Sequence, residues 1–384
     1  MANLKVNYCG VEYRNPLILA SATPGQDGEG MRLAAEAGIG GVIPKTIGPR
    51  LDWANHPRNG RLYNYKVGNR PVGMVNLELF TTLTREEWVD RELAIAKSGG
   101  ATMHISMLAM PDPKDTAELV KEMQDTGLVD LIELNVSCPM PASTVGMHIG
   151  KNAELSARQV EAAKKVAEVP ITIKLTPNIS DMVPVAQAVK DAGADGITIS
   201  NSVRSFAGVD IETGKPHLCG YGGYTGPAIK PMIMRHLSEV ANNVDIPLSA
   251  VGGITSYREI IEYIMLGATT VQICTAVMWN GYKIIPKILN DLNDWMDKKG
   301  YTSFDDIRGI ALPYITSVEK LAELPPKFAY IDPETCTNCG KCTDVCFYRA
   351  IFVEDDTHVV NKAMCDGCGA CEQWCPVNAI VLED

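Results

Sequence analysis

Residues 336–346 read Cys-Thr-Asn-Cys-Gly-Lys-Cys-Thr-Asp-Val-Cys, and residues 365–376 read Cys-Asp-Gly-Cys-Gly-Ala-Cys-Glu-Gln-Trp-Cys-Pro. Each run sets three cysteines at two-residue intervals and a fourth three residues on. Together they hold eight of the chain's twelve cysteines, all within the last 49 of its 384 residues. The opening MANLKVNYCG lacks the charged-then-apolar pattern of an export signal, which points to the cytoplasm. In that setting such a cluster reads as metal ligation before it reads as disulfides. Zinc sites present cysteines in pairs. A triplet plus a fourth is the spacing that wraps [4Fe–4S] cubes, the fourth cysteine of each run crossing to the other cube. The expected ligand sets are Cys336, Cys339, Cys342 and Cys375 for one cube, and Cys365, Cys368, Cys371 and Cys346 for the second. A zinc site or a disulfide knot is the competing reading. Phe347 stands where the first run would usually carry proline, which bears on the turn more than on ligation.

Outward from the two runs, residues 331–384 hold ten acidic and three basic side chains, and so −7 of the chain's net −11. An acidic skin on an electron-transfer module can steer a basic redox partner, or can simply keep a small domain soluble. The tail is read as a ferredoxin-like domain over 331–384, joined through a turn-rich linker at 311–330 to a larger domain at 1–310. Pro313, Pro325 and Pro326 mark the linker. Two cubes make a two-step wire, and a wire implies something at each end.

Upstream, short apolar runs alternate with stretches of helical period. Extended candidates are 17–21, 41–45, 72–76, 103–107, 131–135, 171–175, 196–200, 248–252 and 270–274. Helical candidates are 30–37, 85–97, 116–126, 155–166, 182–192, 229–242 and 257–266. Such alternation means parallel βα units. With roughly 300 residues of them and no GxGxxG turn after the first strand, a (β/α)8 TIM barrel is favoured over a doubly wound sheet. Nine strand candidates are one too many, and one of the first three is expected outside the ring.

Polar residues stand just past these strands: Ser21, Lys45-Thr46, Asn76-Leu77-Glu78, Asn135, Lys174, Asn201-Ser202, Gly252-Gly253 and Cys274-Thr275. A barrel builds its active site at the C-terminal mouth, so these side chains should converge. Gly252-Gly253 and Cys274-Thr275, each followed by a helix, form an expected phosphate seat after the last two strands. Lys45 and Lys174 suit the negative charge of a reduced flavin. FMN, with one phosphate and a ring that takes one or two electrons, is the natural junction between an iron–sulfur wire and hydride chemistry.

Composition excludes other classes. At 46% hydrophobic and 21% charged the chain is ordinary globular material. No apolar run approaches the roughly 20 residues needed to span a bilayer. The net charge of −11 disfavours a general nucleic-acid binder.

Five stretches then stand in order: Asn76-Leu77-Glu78-Leu79, Leu134-Asn135-Val136-Ser137-Cys138-Pro139, Ile173-Lys174-Leu175-Thr176-Pro177-Asn178, Asn201-Ser202-Val203 and Tyr221-Gly222-Gly223-Tyr224-Thr225-Gly226. Over nearly its whole length the chain resembles the flavin and two-cube part of the dihydropyrimidine dehydrogenases, within the wider class 1 dihydroorotate dehydrogenase family. The resemblance implies that Cys138 is a general acid or base opposite the flavin. It implies that Asn76, Glu78, Asn135, Asn201 and Ser202 bond a pyrimidine ring, and that Ser21, Lys45, Thr46, Lys174, Gly226, Gly252, Gly253, Cys274 and Thr275 surround the flavin. It further implies a homodimer whose exchanged tails serve the neighbouring flavin. Departures are Met140 where the family often has His, Phe80 beside the ring, Ser202 for Thr, and the segment 141–150.

The implied reaction reduces the 5,6 double bond of uracil or thymine, or runs in reverse. Dihydroorotate, or another cyclic enone or electron-poor ring, is the alternative substrate, and a bare electron-transfer subunit with a vestigial barrel is the non-enzymatic reading. A thiol near its ordinary pKa of about 8.5 can give or take a proton near neutrality, which suits Cys138. Gly146 and Gly150 are candidate hinges for a lid at 138–151. His148 either touches substrate or faces solvent, and Cys9 and Cys219 are expected to pack. With no dinucleotide fingerprint in the chain, electrons are expected from a separate FAD- and NAD(P)H-binding subunit or from a ferredoxin.

Overall fold

A computed structural model describes residues 3–48, 60–139 and 144–383. The chain divides into two compact units, Met1–Pro313 and Tyr314–Asp384. No helix among the described residues is long and apolar enough to cross a membrane.

The strands of the first unit are, in chain order, β1 (Val6–Tyr8), β2 (Val11–Tyr13), β3 (Leu17–Leu19), β4 (Gly41–Val42), β5 (Leu62–Val67), β6 (Arg70–Asn76), β7 (Thr102–Leu108), β8 (Leu131–Asn135), β9 (Ile171–Lys174), β10 (Gly196–Ile199), β11 (Val203–Phe206), β12 (Tyr221–Thr225), β13 (Leu248–Val251) and β14 (Ala268–Ile273). Eight of them close into a parallel barrel in the order β3-β4-β7-β8-β9-β10-β13-β14, with β14 returning to β3 through Val271 opposite Leu17. Their outward faces pack on amphipathic helices such as Pro113–Gln124, Ala153–Lys164 and Tyr257–Met265, whose buried residues recur every three or four positions. The ninth strand candidate, 72–76, lies in β6, outside the ring. It joins an antiparallel sheet ordered β11-β12-β6-β5. Gly68-Asn69 turns β5 into β6, with Gly68 at φ +59°, as a two-residue hairpin with glycine first requires. Because these strands interrupt the β4–β7 and β10–β13 connections, the sheet belongs to the mouth of the barrel.

The opposite end is closed by the β1–β2 hairpin. Tyr8 and Tyr13 are fully buried, and a side chain at Gly196, where β10 begins, would strike the Tyr8 hydroxyl and Cys9 Sγ. Cys9 packs there, its thiol donating to the Asp195 carbonyl at 3.2 Å. Cys219, by contrast, is exposed, contrary to expectation: it lies in the 207–220 excursion between β11 and β12, where the short β-strands leave nothing to cover it.

The second unit pairs β15 (Phe328–Ile331) with β18 (Ile380–Glu383), and β16 (Ile351–Glu354) with β17 (Thr357–Val360). β15 thus begins inside the stretch read as linker. Two short helices, Lys341–Asp344 and Ala370–Trp374, each follow a left-handed glycine (Gly340, Gly369) and each bury the third cysteine of their run (Cys342, Cys371). Its apolar cluster is small: Ala329, Ile331, Ile351 and Ile380 with those two thiols, and Val360 and Leu382 packed against them. So small a core does not hold a fold by burial alone, and what the cysteines bind must contribute.

Candidate active site and cluster sites

One cavity of about 360 Å³ opens at the barrel mouth, and all fifteen barrel residues singled out from the sequence line it. Ser21 follows β3, Lys45 and Thr46 follow β4, Asn76 ends β6 with Glu78 just beyond, Asn135 ends β8, and Lys174 ends β9. Asn201 and Ser202 follow β10, Gly226 follows β12, Gly252 and Gly253 follow β13, and Cys274 and Thr275 follow β14. Cys138 comes from the loop after β8. Ala20, Ala22, Met74, Ile229, Val251, Ile254 and Met278 supply apolar wall.

Hydrogen bonds fix the polar side chains relative to one another. Asn135 Nδ2 donates to Thr46 Oγ1 at 2.7 Å and to Cys138 Sγ at 3.3 Å, while its Oδ1 accepts from the Ser137 amide at 3.0 Å and the Ser137 hydroxyl at 2.8 Å. Asn201 Nδ2 donates to Ser137 Oγ at 2.8 Å, and Asn201 Oδ1 accepts from the Ser202 amide at 2.7 Å. Asn76 Nδ2 donates to the Gly223 carbonyl at 3.0 Å across the β6–β12 pair. A side chain at Gly223 would meet Ser202 Oγ at 2.1 Å, so only glycine lets the sheet approach the mouth this closely.

Two cations lie nearly out of water. Lys45 donates to the Glu78 carboxylate, which also accepts from Thr23 Oγ1 at 3.1 Å and from Arg61 Nε at 3.0 Å. Burial pulls the Lys45 amine below its ordinary range and Glu78 opposes that pull. Lys174 Nζ donates to Gln272 Oε1 at 3.2 Å and stands 3.7 Å from Glu133 Oε1. Burial pushes the Cys138 thiol up to about 11, against the Asn135 donor and the two ammonium groups that draw it down. The thiol is thus held above the ordinary value of about 8.5 from which the sequence reading starts. Cys274 is raised to about 11 for the same reason, and contacts Met278 Sδ at 3.7 Å.

The anion seat differs in one respect from the sequence reading. The helix after Gly252-Gly253, Tyr257–Met265, is closed by its own capping box, in which Glu259 accepts from the Ser256 amide at 2.7 Å. Its first amides are therefore not aimed at a ligand. Two donor groups remain. One is the glycine turn, with Gly252 at φ +143° and Gly253 at φ +78°, fixed by the Tyr263 hydroxyl donating to the Gly252 carbonyl at 2.6 Å. The other is the first turn of Thr275–Asn280, which carries no side-chain cap. Backbone donors at one end, apolar walls, and two buried ammonium groups fit FMN: a phosphate, a planar apolar ring, and a ring edge that gains negative charge on reduction.

The loop after Cys138 is pinned rather than hinged where it is described. A side chain at Gly146 would meet the Cys138 carbonyl at 2.7 Å, and one at Gly150 the Val136 carbonyl at 2.2 Å, so both glycines serve close approach. The Met147 amide donates to the Cys138 carbonyl at 3.0 Å, and Val145 packs with Phe80, Leu108 and Cys138. His148 is exposed. Met140, and residues 141–143 of the segment 141–150, lie outside the described residues. Glu133, Gln272, Ser137, Thr23 and Tyr221 are given no role by the sequence reading. Glu133 and Gln272 had a signal, a charged or amide residue inside an otherwise apolar strand.

In the second unit the cysteines group across the two runs. One small cavity is lined by Cys336, Cys339, Cys342 and Cys375, another by Cys346, Cys365, Cys368 and Cys371. The sulfurs surround space instead of closing on a point: among the described residues no three potential ligands converge on a single ion. Main-chain amides point at the thiols, Ala379 to Cys375 at 3.1 Å and Ala350 to Cys346 at 3.3 Å. Four thiols around a cavity, each set drawn from both runs, fit a cube on either side.

Barrel mouth and tail together define a class, the FMN- and iron–sulfur-dependent oxidoreductases acting on CH–CH bonds. Comparison with known proteins agrees. Residues 3–296 match the family model "Dihydroorotate dehydrogenase", and residues 329–382 match "4Fe-4S dicluster domain". The catalytic subunit of dihydroorotate dehydrogenase B (NAD(+)) of Pyrococcus abyssi is 34% identical over 318 residues, covering 80% of this chain and 99% of that one. Its counterpart in Methanocaldococcus jannaschii is 36% identical over 309 residues, covering 80% and 98%. The NAD-dependent dihydropyrimidine dehydrogenase subunit PreA of Escherichia coli is 31% identical over 354 residues, covering 90% and 85%. The chain belongs to the dihydroorotate dehydrogenase family, and it carries FMN and two [4Fe–4S] clusters.

Proposed function

We propose that this oxidoreductase reduces the 5,6 double bond of uracil or thymine, or oxidises the dihydro form. Bound FMN supplies or takes the hydride, with electrons exchanged through the two cubes. The observation that carries the reading is the Cys138 thiol, held by Asn135, in the same cavity as the anion seat and the two lysines. Cys138 delivers the proton to the ring carbon beside the one that receives hydride. Asn76, Asn135, Asn201 and Ser202 orient the ring through its alternating donors and acceptors, and pairing each polar atom rejects analogues that lack it. Lys45, Lys174, Ser21, Thr46, Gly226, Gly252, Gly253, Cys274 and Thr275 hold the flavin.

Glu78 also faces the ring. Its carboxylate is held between Lys45 and Arg61 at the cavity wall, where one oxygen or the other can accept from a ring N–H. The dihydroorotate reading draws on the similarity to catalytic subunits that act on that compound. Initial rates of the dithionite-reduced protein with uracil, thymine, orotate and a set of cyclic enones separate the two. Turnover of orotate with none of uracil or thymine would replace the pyrimidine-base assignment.

The reading includes a cytoplasmic homodimer fed by a separate FAD- and NAD(P)H-binding subunit or a ferredoxin. The relatives' own names, which give them as subunits linked to NAD, support a partner of this kind.

A further inference from the structure

Period two along a strand puts Glu133 one layer beneath Asn135, Thr198 beneath Ser200, and Gln272 beneath Cys274. Barrels usually fill that layer with branched apolar residues. Here it is polar and fully enclosed. Thr198 Oγ1 donates to Glu133 Oε2 at 2.6 Å and Gln272 Nε2 to the same oxygen at 3.3 Å. Gln272 Oε1 accepts from Lys174, and the remaining carboxylate oxygen, Oε1, has no hydrogen-bond partner among the described residues and faces the ammonium at 3.7 Å. A buried carboxylate is costly, and apolar residues of equal volume would stabilise the barrel as well or better. Its presence calls for a reason at the mouth.

We infer that Glu133 is a positioning residue for the flavin site: through Gln272 and its own charge it holds the Lys174 side chain at the cavity wall, where Lys174 sets the charge that the reduced flavin meets. Without Glu133 the Lys174 side chain loses the anion it faces, and with it the hold at the wall. The flavin then behaves as though Lys174 were absent. This holds whichever ring the pocket reduces.

The test is the two-electron midpoint potential of FMN in the full-length holoprotein, read by spectroelectrochemistry, with the FMN dissociation constant measured alongside. Glu133→Gln and Lys174→Met are each expected to disfavour flavin reduction about tenfold, about 30 mV for a two-electron couple. The double variant should match Lys174→Met alone, because Glu133 acts on the flavin only through the Lys174 side chain. A raised potential in Glu133→Gln would mean that Lys174 stays in place without its partner, and overturns the inference. An unchanged potential, or additive shifts, overturns it too. Thr198→Val, which removes the 2.6 Å donor, should move the potential the same way by less, and it decides the matter if Glu133→Gln does not fold. A purely structural role would lower the melting temperature and leave the potential of folded protein in place.

Discussion

Raising the pH from 7 to 10 should separate the two directions of the proposed reaction through one thiol. Burial pushes Cys138 up to about 11. At pH 7 about one thiol in 10⁴ is then thiolate, and at pH 10 about one in ten. Reduction needs the protonated donor, whose fraction changes by only about a tenth over that range. Oxidation of the dihydro ring needs the thiolate as base, whose fraction climbs about a thousandfold, tenfold for each pH unit. Initial rates at saturating substrate, with uracil and excess reductant one way and dihydrouracil and an artificial acceptor the other, give both limbs. Cys138→Ser should abolish the slope and slow reduction by about 10²–10⁴. An oxidation limb that levels off near pH 8.5, or a Cys138→Ala protein as fast as its parent, would refute the reasoning.

Three further outcomes are expected. Cys375→Ser should empty the cube of the first run although Cys375 belongs to the second, halving the iron content; Cys336→Ser added to it should remove no more, while Cys365→Ser added to it should empty both. The His104 imidazole, bonded to Thr172 Oγ1 at 3.1 Å inside the barrel, is pushed down to about 4 by burial. The unfolded chain takes up that proton near pH 6.5 and the folded one only near 4, so stability is lost as the pH falls through this window, by about 3 kcal/mol at most. In urea titrations His104→Gln should flatten the decline. Gly223→Ala forces Ser202 aside at about 1–3 kcal/mol, and should raise KM for the pyrimidine while FMN content holds.

Much of this architecture was legible because its periodicities are strong. Runs such as Ile171–Lys174 and Leu131–Asn135 are short, mostly apolar and end on a polar residue, and all eight ring strands coincide with candidates read that way. The β5–β6 hairpin was missed for a physical reason: βα alternation was the template, and the residues Gly68-Asn69 between two alternating stretches signal a different connection. The capping box at Ser256 and Glu259 stood in the sequence, yet which helix end aims at a ligand depends on where its amides already go. The thiol of Cys138 could not be placed on a pH scale from its neighbours in sequence, because its shift comes from burial by distant strands. Glu133 was passed over since a strand with one charge still reads as a strand; only closure of the ring turns that charge inward onto Lys174.

The interlocked arrangement of the two cysteine runs has a consequence for biogenesis. With each run lending its last sulfur to the other, neither half of the module is a self-sufficient scaffold. A nascent chain stopped anywhere before Cys371 offers no complete set of four, so iron loading must wait for both halves to be synthesised and brought together. Maturation of this segment should therefore begin only once the second run has been made, with the set that ends at Cys371 completed before the set that needs Cys375.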